Sequence, residues 1–306
     1  MIANLQRLLQ GPGAGGGATS EDMSVYRCTV SGHGPAGKGE EMRILGRGAR
    51  GNLMLAAMMA LLVAVAGVGS AMAEKAETVE AGDLRFTFNG GFAPKKLPKK
   101  TLAPITLTAS GKIEKKDGGH PPALKEVLIE TDKNGAVNVK GLPVCKSGQL
   151  QSRDTAAARK ACPKAIIGTG RTSVEVLFPE SKPVPVDSAL TVFNGGQSGG
   201  TTTFYIHAFF SAPVSGAIVT TVKIKKVHNG RYGLKSVATI PKIANGAGSV
   251  KSFDLKIGKT YTYKGKKMSV LSAKCTDGKL QALAKSVFAD GTEASATIIR
   301  TCTPKG

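Results

Sequence analysis

Few residues of this chain are of a type that could do chemistry, and their spacing decides how far each reading goes. Gly196-Gln197-Ser198-Gly199-Gly200 fits the GxSxG pattern that presents a nucleophilic serine on a tight strand-to-helix turn. Such a serine needs a base to take its proton. The upstream Thr155-Ala156-Ala157, where a serine protease would place its histidine, runs into Ala158 instead. Thr201-Thr202-Thr203-Phe204 then leads into a strand, so the segment is predicted to be a glycine-rich hairpin. Glu126, Glu130 and Asp132 recommend themselves as a glycosidase pair, which needs two carboxylates on one face about 5 to 9 Å apart. Asp132-Lys133-Asn134-Gly135 reads better as a turn. His120, His207 and His228 are scattered, and no CxxC is present, so neither a catalytic residue, a metal site nor a cofactor is expected. Gly32, Gly37 and Lys38 imitate a phosphate-binding loop, but Gly39 stands where the motif requires Ser or Thr.

The stretch most like a binding site is Tyr261, Tyr263, Lys264, Lys266 and Lys267. The two tyrosines are two residues apart, hence on one face of a strand, with ammonium groups beside them. Its plain alternative is a solvated edge on which lysines discourage pairing between molecules. Trp is absent and aromatics are few, which counts against a sugar-stacking platform.

These residues must be positioned by strands. Period-two alternation recurs at Leu84/Phe86/Phe88, Ile105/Leu107, Val174/Val176/Phe178, Phe204/Ile206/Ala208/Phe210, Val222/Ile224 and Phe253/Leu255/Ile257. Asn-Gly and Asp-Gly pairs punctuate these runs at 117, 134, 194, 229, 245, 277 and 290, as tight hairpins require. Roughly ten to thirteen short antiparallel strands in this pattern predict a sandwich or barrel, with a β-sandwich as the first form. The last three, Met268–Cys275, Leu280–Phe288 and Glu293–Cys302, read as a meander. One short helix is predicted over 155–161, capped by Asp154 and ended by Pro163. Phe-Asn-Gly-Gly occurs at Phe88 and again at Phe193. One domain over 74–306 is the first choice, and two β halves, about 80–184 and 185–306, the second.

From Leu53 to Gly69 runs an apolar stretch of seventeen residues, preceded by Arg43, Arg47 and Arg50 and followed by Ala71-Met72-Ala73. This is the order of a secretory signal peptide, expected to span 42–73 and to be cut between Ala73 and Glu74. Residues 1–41 are Gly-rich and aperiodic and read as an over-long start. No transmembrane anchor is expected after cleavage. Residues 74–306 hold 36 basic and 17 acidic residues, a net +19, and four of the five cysteines. In an oxidising compartment an even number implies bridges. Three pairings are possible, and local pairing, Cys145 with Cys162 and Cys275 with Cys302, is the economical choice.

Ile240–Ile257, Tyr261–Lys267, Val270–Cys275, Gly141–Cys145 and the Phe193-Asn194-Gly195 turn together resemble a family of uncharacterised secreted β-rich bacterial proteins. The resemblance implies secretion and a β-rich fold, and transfers no active site. The leading functional expectation is a non-enzymatic protein, secreted or held at the bacterial envelope or cell wall, whose lysines adsorb to an anionic envelope polymer or polysaccharide. Dispersed lysines do not suit specific nucleic-acid recognition. The alternatives are a secreted hydrolase and a small-molecule or lipid carrier, the last requiring an apolar cavity.

Overall fold

The computed structural model describes residues 74–213 and 215–306. The expected signal peptide, Ala73 and the segment before Met42 lie outside the described residues. In chain order the strands are β1 (Glu77–Ala81), β2 (Leu84–Ala93), β3 (Lys96–Pro98), β4 (Ala103–Pro104), β5 (Thr106–Lys115), β6 (Leu124–Asp132) and β7 (Gly135–Val137). After helix α1 (Thr155–Ala161) come β8 (Ile166–Val176), β9 (Val184–Ser198), β10 (Thr201–Phe210), β11 (Gly216–Asn229), β12 (Tyr232–Thr239) and β13 (Gly248–Ile257). The chain ends with β14 (Thr260–Tyr263), β15 (Lys266–Ser269), β16 (Leu271–Ala273), β17 (Lys279–Phe288), β18 (Glu293–Thr301) and β19 (Thr303–Lys305).

The class is the predicted one, all-β and antiparallel with one short helix and two disulfides. The two faces expected of a sandwich are opposite walls of one sheet. Twelve strands pair in the order β1, β2, β5, β13, β8, β9, β10, β11, β12, β6, β17, β18. The two edge strands β1 and β18 return to each other, and the sheet is nearly closed into a barrel. Strands from early and late in the chain alternate around this wall, β13 lying between β5 and β8. Period-two alternation places Phe88, Val174, Leu190, Phe204 and Ile224 inward, and leaves Arg85, Lys112, Arg171, Asp187 and Lys223 exposed outside. A membrane barrel shows the reverse pattern, apolar outside and polar within. Among the described residues no helix is long and apolar enough to cross a membrane.

One end of the barrel is crossed by 116–123, which links β5 to β6, and by 240–247, which links β12 to β13. Beneath them lies an apolar floor of Leu84, Phe86, Ile113, Leu124, Ile243 and Phe288. The other end is capped by three small sheets: β4 with β16 and β7, the β14–β15 hairpin, and the parallel pair β3 and β19. One disulfide sits at this capped end and the other in the 142–165 excursion outside β9. Cys145–Cys162 and Cys275–Cys302 form as the local pairing predicts, with Cα separations of 5.7 and 6.1 Å. Asp154 caps α1 as predicted, its Oδ1 accepting from the Ala157 amide at 2.7 Å.

Two local expectations are corrected. The segment Met268–Cys275 does not form a meander with the two strands after it: it belongs to the cap as β15 and β16, while β17 and β18 pair in the wall. Neither Phe-Asn-Gly-Gly is a turn, since both lie inside long strands, β2 and β9. Asn194 is buried, and its Nδ2 donates to the Leu142 and Pro143 carbonyls at 3.2 and 2.9 Å. It fastens the 142–165 excursion to the outer wall, so the residue type that makes turns serves here as a bracket. The true hairpin, as predicted, is the Gly199-Gly200 corner, where φ values of +54° and +74° require glycine.

Candidate functional site

Side chains fill the interior of a barrel of about eight strands, and a wider one leaves a lumen. Here the lumen has a volume of about 380 Å³. Its lining comes from every wall strand except β1, and is mostly Phe, Leu, Ile, Val and Ala. Ile206, Ile218, Val222, Leu234 and Ala282 point inward yet are only half-buried, because the space they face is not filled by protein.

Among the described residues only two charged ones line it, Asp132 and Arg300, and each has a counter-charge. Arg300 is 5% exposed and closes the seam between β18 and the first strands. Its Nε donates to the Gly90 carbonyl, Nη1 to Ile299 O at 2.8 Å, and Nη2 to Lys75 O at 3.2 Å and Asn89 Oδ1 at 3.1 Å. Its counter-charge is Glu74, 3.5 Å away. Glu74 in turn accepts from the Thr301 amide and hydroxyl at 2.8 and 3.0 Å and pairs with Lys95. Burial pushes the Glu74 carboxyl up, but these donors and the Lys95 charge outweigh it and hold it below its ordinary value. Asp132, 3% exposed, accepts from the Asn134 and Gln281 amides and pairs with Arg231 at 2.8 Å. Asp277 binds the other side of Arg231 at 2.7 Å, a hydrogen bond that raises the guanidinium's already high pKa despite partial burial.

Of the seven hydroxyl-bearing residues in the lining, Thr220, Ser236 and Thr131 stand on the neighbouring strands β11, β12 and β6. No side-chain hydrogen bond within the described residues occupies them. Ser236 opposes Ile129, so Thr131 is its diagonal neighbour. A second recess of about 190 Å³ lies at the floor end, lined by Val176, Val186, Pro213, Lys242 and Asn245 among others. It shares Val174, Phe210, Ile218 and Ile243 with the lumen.

The structure does not gather the sequence-predicted candidates. Tyr261 and Tyr263 do share a face, but that face is turned into the cap. The Tyr261 hydroxyl donates to the Asn138 and Lys140 carbonyls at 3.3 and 3.0 Å, and its burial raises the phenol pKa. The Tyr263 ring lies on Gly141, where a Cβ would come within 2.0 Å of it. Lys264, Lys266 and Lys267 remain exposed at the tip of this hairpin. Ser198 is exposed in its turn. Glu130 accepts from Asn229 outside the wall while Asp132 is committed inside, so no carboxylate pair forms. His207 is buried under the 145–165 excursion, where Nε2 donates to Arg153 O at 2.9 Å and burial lowers its pKa.

One constellation escaped the sequence. Ser249 Oγ is 3.0 Å from His120 Nε2, and His120 Nδ1 is 3.3 Å from Glu175, the order of nucleophile, base and orienter. Ser249 is 1% exposed, however, and its hydroxyl donates to Pro121 O at 2.6 Å, so its proton is not offered to the ring. Lys251 also pairs with Glu175, at 3.3 Å. The cluster pins the 116–123 crossing to the ends of β8 and β13. The lumen was equally illegible, because period two says which side chains face inward but not whether two walls meet. Among the described residues no group of His, Cys, Asp and Glu is placed to hold a metal. No family model, curated protein or solved structure matches the chain.

Proposed function

We propose that the protein is a carrier that binds an apolar small molecule inside its barrel, outside the cytoplasm. The supporting observation is the lumen itself: about 380 Å³, within the range of about 300 to 1,000 Å³ of small-molecule sites, and lined almost wholly by apolar side chains. An apolar surface left facing unfilled space forgoes contacts that a ligand would supply. The two disulfides suit an oxidising compartment, which favours export over residence in the cytosol.

The test is equilibrium binding of N-phenyl-1-naphthylamine, whose emission rises in apolar surroundings. Saturable one-to-one binding is expected. Ala238→Phe or Ala282→Phe, each filling the lumen from a different strand, weakens it by about tenfold or more, or about 1.4 kcal/mol. Using two variants guards against one that fails to fold, and far-UV circular dichroism confirms the barrel in each. A folded wild-type chain that leaves the probe dark, or folded variants that bind it undiminished, would overturn the proposal.

A further inference from the structure

Building on the lumen reading, we propose that the barrel selects an uncharged amphiphile, an apolar body carrying a hydroxyl or carbonyl, and rejects fatty-acid-like anions although the chain is strongly basic. The basic charge is on the wrong side of the wall for an anion in the lumen. Lys112, Arg171, Lys223, Lys225 and Lys226 are exposed outside, whereas among the described residues the only charged lining ones are one acid and one base.

Neither of those two is free. Asp132 has Arg231 at 2.8 Å and two backbone amides, and Arg300 has Glu74, three carbonyls and Asn89. A carboxylate entering the lumen would exchange water for an apolar wall without gaining a counter-ion, a transfer that strongly disfavours the charged form. A hydroxyl or carbonyl has better prospects. Thr131 and Ser236, diagonal neighbours on adjacent strands, offer it donors and acceptors, and Thr220 stands farther along the next strand. The outer lysines still attract anions, but to the surface, where added salt screens them.

The experiment displaces bound N-phenyl-1-naphthylamine with 1-decanol, decanoate or decylamine at pH 8 and high salt, which removes surface adsorption. Decanol is expected to displace at concentrations about tenfold or more below either ion. Decanoate or decylamine displacing as well as decanol would overturn the inference while leaving the lumen reading intact, because the probe must already be bound for the comparison to be made. Failure of the probe to bind would instead count against the lumen reading. A double variant, Thr131→Val with Ser236→Ala, is expected to lose several-fold more affinity for decanol than for the probe, which carries no hydroxyl. Unchanged decanol affinity in the folded double variant would remove the hydroxyls from the account.

Discussion

At the scale of single residues Arg300 ties one edge of the sheet to the start of the described chain. From β18 its side chain reaches Asn89 and Gly90 of β2 and Lys75 ahead of β1, and Glu74 accepts from Thr301. Replacing Arg300 by Met takes the donor from several carbonyls, while Glu74 keeps Lys95 and Thr301, so a loss of about 1 to 3 kcal/mol is expected in urea unfolding. Arg300→Lys keeps the charge but cannot reach four acceptors in one plane, and should fall between Met and wild type. A Met variant as stable as wild type would show that the seam is held elsewhere. Glu74 adds a pH dependence with a definite sign. Its folded pKa lies below the ordinary 4.5, so its stabilisation is present above about pH 4.5 and lost as pH falls through the folded value. Glu74→Gln should therefore flatten the fall in stability on the acid side of pH 4.5, and an unchanged acid limb would exclude this carboxylate as the cause.

At the scale of elements, much was legible and the reasons are local. Helix α1 announces itself through Asp154 and its alanines, and the wall strands through inward residues such as Leu84, Phe86 and Phe88. What the sequence could not show is partnership. Met268–Cys275 has strand composition whether it pairs in the wall or in the cap, and Asn194-Gly195 has turn composition although its side chain brackets a distant loop. The tyrosines at 261 and 263 looked like a binding face because a face of the cap and a face open to solvent share the same periodicity. The disulfides separate the two kinds of attachment. Cys145–Cys162 holds an excursion against the outside of β9 and β10, burying Leu150, Ala158 and Phe193. Changing both cysteines to Ser should cost about 2 to 4 kcal/mol in unfolding while leaving probe binding intact. Cys275–Cys302 packs with Phe92 and Ala273, both of which line the lumen. Its removal should weaken probe binding as well as stability, and equal effects of the two removals on binding would contradict this division.

At the scale of the whole molecule the question is by which end of the barrel a ligand reaches the lumen. The capped end is built from three small sheets and carries the Cys275–Cys302 disulfide, so opening it means separating cross-linked parts. The floor end is crossed by loops, and its 190 Å³ recess adjoins the lumen at side chains common to both, Val174, Phe210, Ile218 and Ile243. Rotation of a few apolar side chains is a far smaller rearrangement than displacement of a stapled cap, which makes the recess the expected route. Gly216 lines it, and a Cβ there meets nothing within 4 Å, so a side chain can start from this position without a clash at Cβ. Gly216→Phe, or Ser215→Trp beside it, should slow release of bound N-phenyl-1-naphthylamine in stopped-flow exchange by about tenfold while leaving its equilibrium affinity unchanged, since association slows equally. If both variants exchange at the wild-type rate, and reduction of Cys275–Cys302 accelerates exchange instead, the ligand passes through the cap.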